Sequence, residues 1–441
     1  MTAHRADEHP PALPPGPIDQ ILNPLVRFLH VEAASGIVLL LATAIALVLA
    51  NTSVSAAFLG FWKTPIGIQV GHFEFRHSLQ HLINDGLMVI FFFVVGLEVK
   101  RELVLGELRG FRRAALPVAA AIGGMLVPAG IYLLLRAGKP GAHGWGIPMA
   151  TDIAFVVGCM AVLGSRVPHG LRVMLLTLAI ADDIGAILVI AIGYTHGLNL
   201  HWLMVGLAGF GVVLAMARLG VRGFTPYVVV GAVIWYAFHE SGIHATISGV
   251  ILGLMTPTYS RLGDNVMIRL LDRAKATFES GIWRNAPNQA EQVRRFQHMT
   301  REIISPSGYL INVLHPWVSF VIMPLFALAN AGVAIRGADL GAPVAVAVLC
   351  GLFIGKPVGV FLASLAAVKS GIARLPDNVT WPQMAGGGLL AGIGFTMALF
   401  IAGLALKEPL LDTAKVGVLA GSLVSAVGGT LVLMAVKARS S

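Results

Sequence analysis

Apolar runs recur along the whole chain, each close to the length of about 20 residues that a helix needs to cross the hydrocarbon core of a bilayer. Short polar stretches separate them and hold nearly all of the charge. On this template the 441 residues divide into twelve spans, at 31–50, 79–99, 114–135, 148–164, 173–195, 201–217, 225–238, 243–257, 309–334, 343–368, 384–405 and 413–436. The pattern predicts an all-α polytopic membrane protein of about 12 transmembrane helices. Between spans 1 and 2 the period changes: Ile66, Ile68 and Val70 alternate with other residues, Gly71 and His72 follow, and Phe73 and Phe75 alternate again. That is strand spacing on both sides of a turn, and it predicts a small external β-hairpin.

Composition agrees, since 56% hydrophobic and 12% charged residues lie far from the balance of a soluble domain. An even number of spans puts both termini on one side and sorts the loops into two sets. One set holds 23 of the 31 Lys and Arg, including Lys100, Arg101, Arg109, Arg112 and Arg113 after span 2 and the basic residues of loop 258–308. The asymmetry predicts cytoplasmic N- and C-termini, so the net charge of +9 reflects orientation and no nucleic-acid partner is expected. Three segments result: a Pro-rich cytoplasmic tail over 1–30 without the pattern of a secretory signal, a single membrane domain over 31–436, and a cytoplasmic end over 437–441. Loop 258–308 mixes both charge signs, as an exposed cytoplasmic helix does. Cys159 and Cys350 lie far apart inside apolar runs and read as small core fillers.

The chemistry is concentrated in a few spans. Asp182 and Asp183 are adjacent near the middle of span 5. An ionised carboxylate at that depth costs roughly 2.5–3.5 kcal/mol on insertion scales, and two neighbours also repel, so the pair suggests a cation site. Span 4 is short and carries Thr151 and Asp152 just after Pro148; span 11 carries Gly392, Gly394 and Thr396 after the run Gly386 to Gly388. Both read as interrupted helices, which hydrocarbon tolerates only where protein or a wet cavity satisfies the freed backbone. Half-helix ends then direct partial charges inward, positive at N-termini and negative at C-termini. Asp152 suits the former and Lys356, mid-span in span 10, the latter. The plainer readings are a helix cap for Asp152 and a snorkelling lysine for Lys356.

These residues resemble a known family. Ala150-Thr-Asp-Ile-Ala-Phe, Ala179-Ile-Ala-Asp-Asp-Ile-Gly-Ala-Ile, Gly355-Lys-Pro, Gly392-Ile-Gly-Phe-Thr-Met and Gly242-Ile-His-Ala-Thr are similar to the signatures of NhaA-type bacterial sodium/proton antiporters. The likeness runs from about residue 18 to the C-terminus, in the family's order. It implies inverted repeats, spans 3–5 and 10–12, with interrupted spans 4 and 11 crossing at the midplane; the family is itself a standard example of that architecture. It also implies electrogenic, pH-regulated exchange of cytoplasmic Na⁺, and Li⁺ too, for external H⁺ by alternating access, without a cofactor, in the bacterial inner membrane, by a homodimer formed through the hairpin. Carried over, Asp182 and Asp183 are the cation and proton site, Thr151 and Asp152 line the crossing, and Lys356 compensates charge and pairs with Asp182 when no Na⁺ is bound. Glu98, Lys100, Arg101 and Glu102 map to the family's pH-responsive region, and His244 titrates in a suitable range. From the residues alone, that cluster reads equally well as interfacial charge at a helix end, and His244 as a packed histidine. Before His315 the chain departs from the family's pattern, with Ile311 and Asn312 where polar, partly acidic residues are expected.

The residue pattern also admits two other classes. An intramembrane aspartate-dependent enzyme needs either further acids near Asp182 or a second catalytic aspartate after Gly394, where Phe395 stands instead. A passive cation channel accounts less well for crossing broken helices with a lysine counter-charge. His72, His77 and His81 suggest a metal only weakly, although His77, His81 and Asp85 keep i, i+4 spacing.

Overall fold

Backbone groups inside a bilayer have no water to bond, so a chain this apolar satisfies them within helices. The computed structural model describes residues 32–70, 73–195, 197–221, 224–259, 272, 305–334 and 337–436. The expected tail 1–30, nearly all of loop 258–308 and the segment 437–441 fall outside these residues. Among the described residues eight helices are long and apolar enough to cross a membrane, or ten if each of two bent pairs counts as one span. The protein is a multi-pass, all-α membrane protein.

The helices are α1 (Glu32–Ala50), α2 (Ser55–Lys63), α3 (Leu79–Leu105), α4 (Phe111–Arg136), α5 (Ile153–Leu163), α6 (His169–Gly193), α7 (Leu200–Arg218) and α8 (Phe224–Ser241). They continue with α9 (Thr246–Met255), α10 (Pro306–Asn330), α11 (Pro343–Lys369), α12 (Trp381–Ala391), α13 (Phe395–Ala405) and α14 (Leu410–Ala435). Two strands, β1 (Pro65–Val70) and β2 (Phe73–Ser78), pair antiparallel with Pro65 opposite Ser78 and Val70 opposite Phe73, forming the hairpin that the alternation predicts.

Several details depart from the sequence expectation. Helix α2 was not expected: it follows α1 after a bend of 115°, so the two do not form one straight crossing. The polar stretch Asn51-Thr-Ser permits the bend, and the Asn51 side chain ties it down by donating to Leu47 O and Val333 O, both at 2.9 Å. The span expected at 148–164 starts earlier, with a 3₁₀ segment over Ala142–Met149. Helix α9 has ten residues, about half the length that a full crossing requires. Among the described residues three long helices contain π turns, Leu82–Leu87 in α3, Val318–Ile322 in α10 and Gly351–Gly355 in α11. The latter two lie just before a proline, Pro324 or Pro357, whose missing N–H leaves carbonyls of the preceding turn without their usual donor.

Small residues let the helices around the centre approach closely. Where α4 crosses α11, Gly123 and Gly359 lie back to back, and a Cβ on either would collide with the carbonyl of the other. Bilayer proteins use such glycines to bring backbones into van der Waals contact where apolar burial offers no gain over lipid. Gly359→Val forces α4 and α11 apart. Overpacking of this kind costs about 1–3 kcal/mol, so a lower thermal unfolding midpoint is expected for the variant in detergent. An unchanged midpoint would show that the crossing can widen without loss.

Most buried apolar residues form one cluster that includes Phe92, Leu171, Leu178, Phe326, Leu352 and Phe400. A smaller cluster, Phe210, Val213, Ile234, Phe238 and Ile247, joins α7, α8 and α9. Outward-facing apolar side chains such as Ile37, Leu41 and Ile45 on α1 and Val228, Val229 and Val233 on α8 are exposed. On a soluble protein such surfaces would promote aggregation, but here they are the lipid-facing side.

Candidate functional site

The two interruptions expected in spans 4 and 11 are present and meet each other. In the first, Ala150, Thr151 and Asp152 run extended between the 3₁₀ segment and α5; in the second, Gly392, Ile393 and Gly394 separate α12 from α13, whose axes differ by 46°. The breaks bond directly, with the Asp152 amide donating to Ile393 O at 2.7 Å. Glycines leave room for the approach: a Cβ on Gly394 would come within 3.1 Å of Ala150 O, and one on Gly392 would collide with Leu352 O of α11 at 2.5 Å.

Four half-helix ends converge here, and side chains answer each of them. The Asp152 carboxylate spans the two N-terminal ends. Its Oδ1 accepts from Phe155 N of α5 at 3.3 Å; its Oδ2 accepts from Thr396 N of α13 at 3.0 Å and from the Thr396 hydroxyl. A negative group placed between two positive dipole ends offsets both. Ser422 of α14 caps the second end as well, its Oγ accepting from Phe395 N at 3.1 Å. At the C-terminal ends the Lys356 ammonium donates to Met149 O, and the Thr151 hydroxyl lies 2.9 Å from Ala391 O.

Helix α6 brings the aspartate pair to the crossing. Adjacent helical residues point about 100° apart, so the two carboxylates have different surroundings. Asp182 Oδ2 accepts from Lys356 Nζ at 2.6 Å and lies 2.7 Å from the Thr151 hydroxyl, while its buried Oδ1 has no hydrogen-bond partner among the described residues. The single hydroxyl proton of Thr151 is thus shared between Asp182 and Ala391 O. For Asp183, next along the helix and 3% exposed, no hydrogen bond is seen among the described residues. Lys356 is fully buried at the first turn after the π segment of α11. The site therefore holds Asp152 committed to helix ends, one lysine–aspartate pair, and one further carboxylate.

The remaining candidates are more scattered. Glu98 on α3 lies within electrostatic reach of Asp183. Glu102 accepts from Glu107 N at 2.8 Å and so closes the end of α3; Arg101 is exposed and Lys100 half-buried. His244, in the turn between α8 and α9, sets its ring edgewise against Phe400 of α13 with centroids 5.8 Å apart, and its Nδ1 is 3.3 Å from the Thr246 hydroxyl. His315 is near Ser319 on the exposed side of α10. Sequence reading missed Ser422, the carbonyls of Met149 and Ala391, and Asn330, which exchanges side-chain hydrogen bonds with Asn84 at 2.7 and 3.1 Å and clamps α3 to α10. A polar residue inside an apolar run was the only signal for Ser422 and Asn330.

Residues 26–433 match the sequence profile of the Na+/H+ antiporter 1 family. The chain is 56% identical over 422 residues to a protein of Rhodopirellula baltica named Na(+)/H(+) antiporter NhaA, covering 96% of each chain. A protein of Rhizobium meliloti with the same name is 52% identical over 422 residues, again at 96% of each. Na(+)/H(+) antiporter NhaA 2 of Vibrio vulnificus is 46% identical over 422 residues, 96% of this chain and 94% of its own. A match of this extent, on a chain whose broken helices cross around two buried aspartates and a buried lysine, places the protein in the Na⁺/H⁺ antiporter 1 family.

Proposed function

We propose that the protein exchanges cytoplasmic Na⁺, and Li⁺, for external H⁺ at Asp182 and Asp183. The observation that carries this reading is the charge count at the crossing. Lys356 neutralises Asp182 at 2.6 Å, which leaves the buried Asp183 carboxylate as the uncompensated charge. A dry site of that kind is neutral when Asp183 takes a proton and also when a cation settles beside it, so the two compete. A hard cation prefers oxygen ligands, and the carboxylates, the Thr151 hydroxyl and the carbonyls of the breaks supply them. Lys356 then loses its partner to the ion, and the proton held by the Asp182–Lys356 pair becomes a second one to release. More protons than cations per cycle makes the exchange electrogenic.

Reorientation is by alternating access about the crossing, with α4 to α6 and α11 to α14 as inverted repeats in a single twelve-span domain over 31–436. The basic residues concentrated in one set of loops favour cytoplasmic termini and an inner-membrane setting. The hairpin β1–β2 would be the homodimer contact. Regulation by pH falls to Glu98, Lys100, Arg101, Glu102 and His244. Glu98 is within electrostatic reach of Asp183, and His244 packs against Phe400 of α13.

The test is dequenching of a pH-sensitive dye in everted vesicles holding the protein, with Na⁺ titrated at several pH values. The apparent KM for Na⁺ should rise as the pH falls, because protons occupy the same carboxylates, and Li⁺ should substitute for Na⁺. A KM independent of pH would separate the two sites and end the competition mechanism.

A further inference from the structure

Away from the crossing, three imidazoles from separate parts of the chain meet on the face that carries the hairpin. His77 comes from β2, His81 from the first turn of α3 and His239 from the last turn of α8; one ligand atom from each lies within 4.8 Å of the others. The rings of His77 and His81 stack with centroids 4.5 Å apart, and His239 stands edge-on to His77 at 5.3 Å. One turn beyond His81, Asp85 adjoins two of the three, its Oδ2 3.5 Å from His81 Nε2 and 3.5 Å from His239 Nδ1.

Those separations fit a particular chemistry. A tetrahedral ion with ligands at about 2.1 Å sets its donor atoms about 3.4 Å apart. The edges from Asp85 to His81 and to His239 already have that length, and the three edges among the imidazoles are at most 4.8 Å. His81 Nε2 is shut off from solvent and makes no hydrogen bond among the described residues, although an imidazole nitrogen ordinarily finds a partner when buried. The surroundings hold the donors in place: the Trp235 indole N–H donates to Asp85 O at 3.1 Å, and its ring lies nearly parallel to that of His239 with centroids 6.0 Å apart. Metal sites depend on such outer supports to fix ligand orientation.

We propose that His77, His81, His239 and Asp85 form a binding site for a first-row transition metal ion of the zinc class. Imidazoles with one carboxylate suit Zn²⁺, Ni²⁺ or Cu²⁺ and disfavour Na⁺ or Mg²⁺, which prefer all-oxygen shells. The bound ion ties the hairpin, the start of α3 and the end of α8 together on one face of the protein. Helix α3 also carries Glu98 and Glu102 toward its other end, so an ion at its start bears on the same helix. Spacing along the sequence does not disclose the site, because its decisive third imidazole, His239, belongs to a different helix.

The experiment uses the full chain in detergent, purified with a tag that contains no histidine and stripped with a chelator. Zn²⁺ is titrated calorimetrically, and Co²⁺ serves as the absorbance probe of coordination geometry. Expected are one Zn²⁺ per chain, intense visible Co²⁺ bands of a tetrahedral site, and a thermal midpoint that rises with added Zn²⁺. His81→Ala and His239→Ala should each weaken Zn²⁺ at least about tenfold, and the double variant should lose the stoichiometric site. His201→Ala, a histidine outside the cluster, should keep it. His239→Gln retains the bulk packed against Trp235, so loss of Zn²⁺ from a chain that still elutes and melts as the parent separates ligation from folding. Absence of stoichiometric Zn²⁺ on the parent, or its persistence on the folded double variant, overturns the proposal.

Discussion

Asp183→Asn should abolish Na⁺-dependent proton movement in vesicles while the protein still inserts in normal amount. The substitution keeps shape and volume and removes only the ionisable oxygen. With Asn at 183 the Lys356–Asp182 pair leaves the crossing neutral, so an arriving Na⁺ brings an uncompensated positive charge into a site whose side chains are 3% exposed or less. Leaving a buried charge without its counter-charge costs about 3–5 kcal/mol, on the order of 10²–10³-fold in cation occupancy. Asp182→Asn should do nearly the same by a different route: it strands the Lys356 ammonium, whose remaining partner is Met149 O, and the stranded positive charge repels the cation. Dye dequenching at saturating Na⁺, normalised to the amount of protein in the membrane, checks both. Exchange retained by the double Asp182→Asn, Asp183→Asn variant would show that transport runs elsewhere in the chain.

Much of this arrangement could be read from the chain because bilayer physics makes intramembrane polarity costly. A carboxylate pair within span 5, a lysine within span 10 and glycines within span 11 each stand out against apolar neighbours, and all of them lie at the crossing. The hairpin was legible for the same kind of reason, a switch of period from helix to strand. What the sequence concealed is relational. The backbone carbonyls of Met149 and Ala391 are identical to every other carbonyl until the folded breaks leave them without helical donors and Lys356 and Thr151 supply them. The 115° turn from α1 to α2 depends on Asn51 reaching Val333, nearly three hundred residues away. The hairpin histidines likewise gain meaning only when α8 delivers His239. Residue type thus predicted which groups would be expensive in the membrane, and the fold determined which groups offset them.

Lys356→Ala should lower the thermal midpoint of the detergent-solubilised protein by more than any surface substitution, and removing its partner as well should restore part of the loss. The lysine side chain is fully enclosed and makes two contacts, one to Asp182 Oδ2 at 2.6 Å and one to Met149 O. Truncation leaves Asp182 with only the shared Thr151 hydroxyl, and the Met149 carbonyl at a half-helix C-terminus without its donor. An unpaired buried charge costs about 3–5 kcal/mol; proton uptake by Asp182 relieves part of this, which makes the loss smaller at low pH and larger at high pH. The double variant Lys356→Ala, Asp182→Asn has no charge left to strand, so its deficit should be smaller than the sum of the two single deficits. Strict additivity in that cycle would mean that lysine and aspartate are not energetically coupled and that Lys356 contributes by packing alone. Coupling would instead show that the two buried groups act as a charge pair, the interaction that the proposed Na⁺ site at Asp182 has to displace.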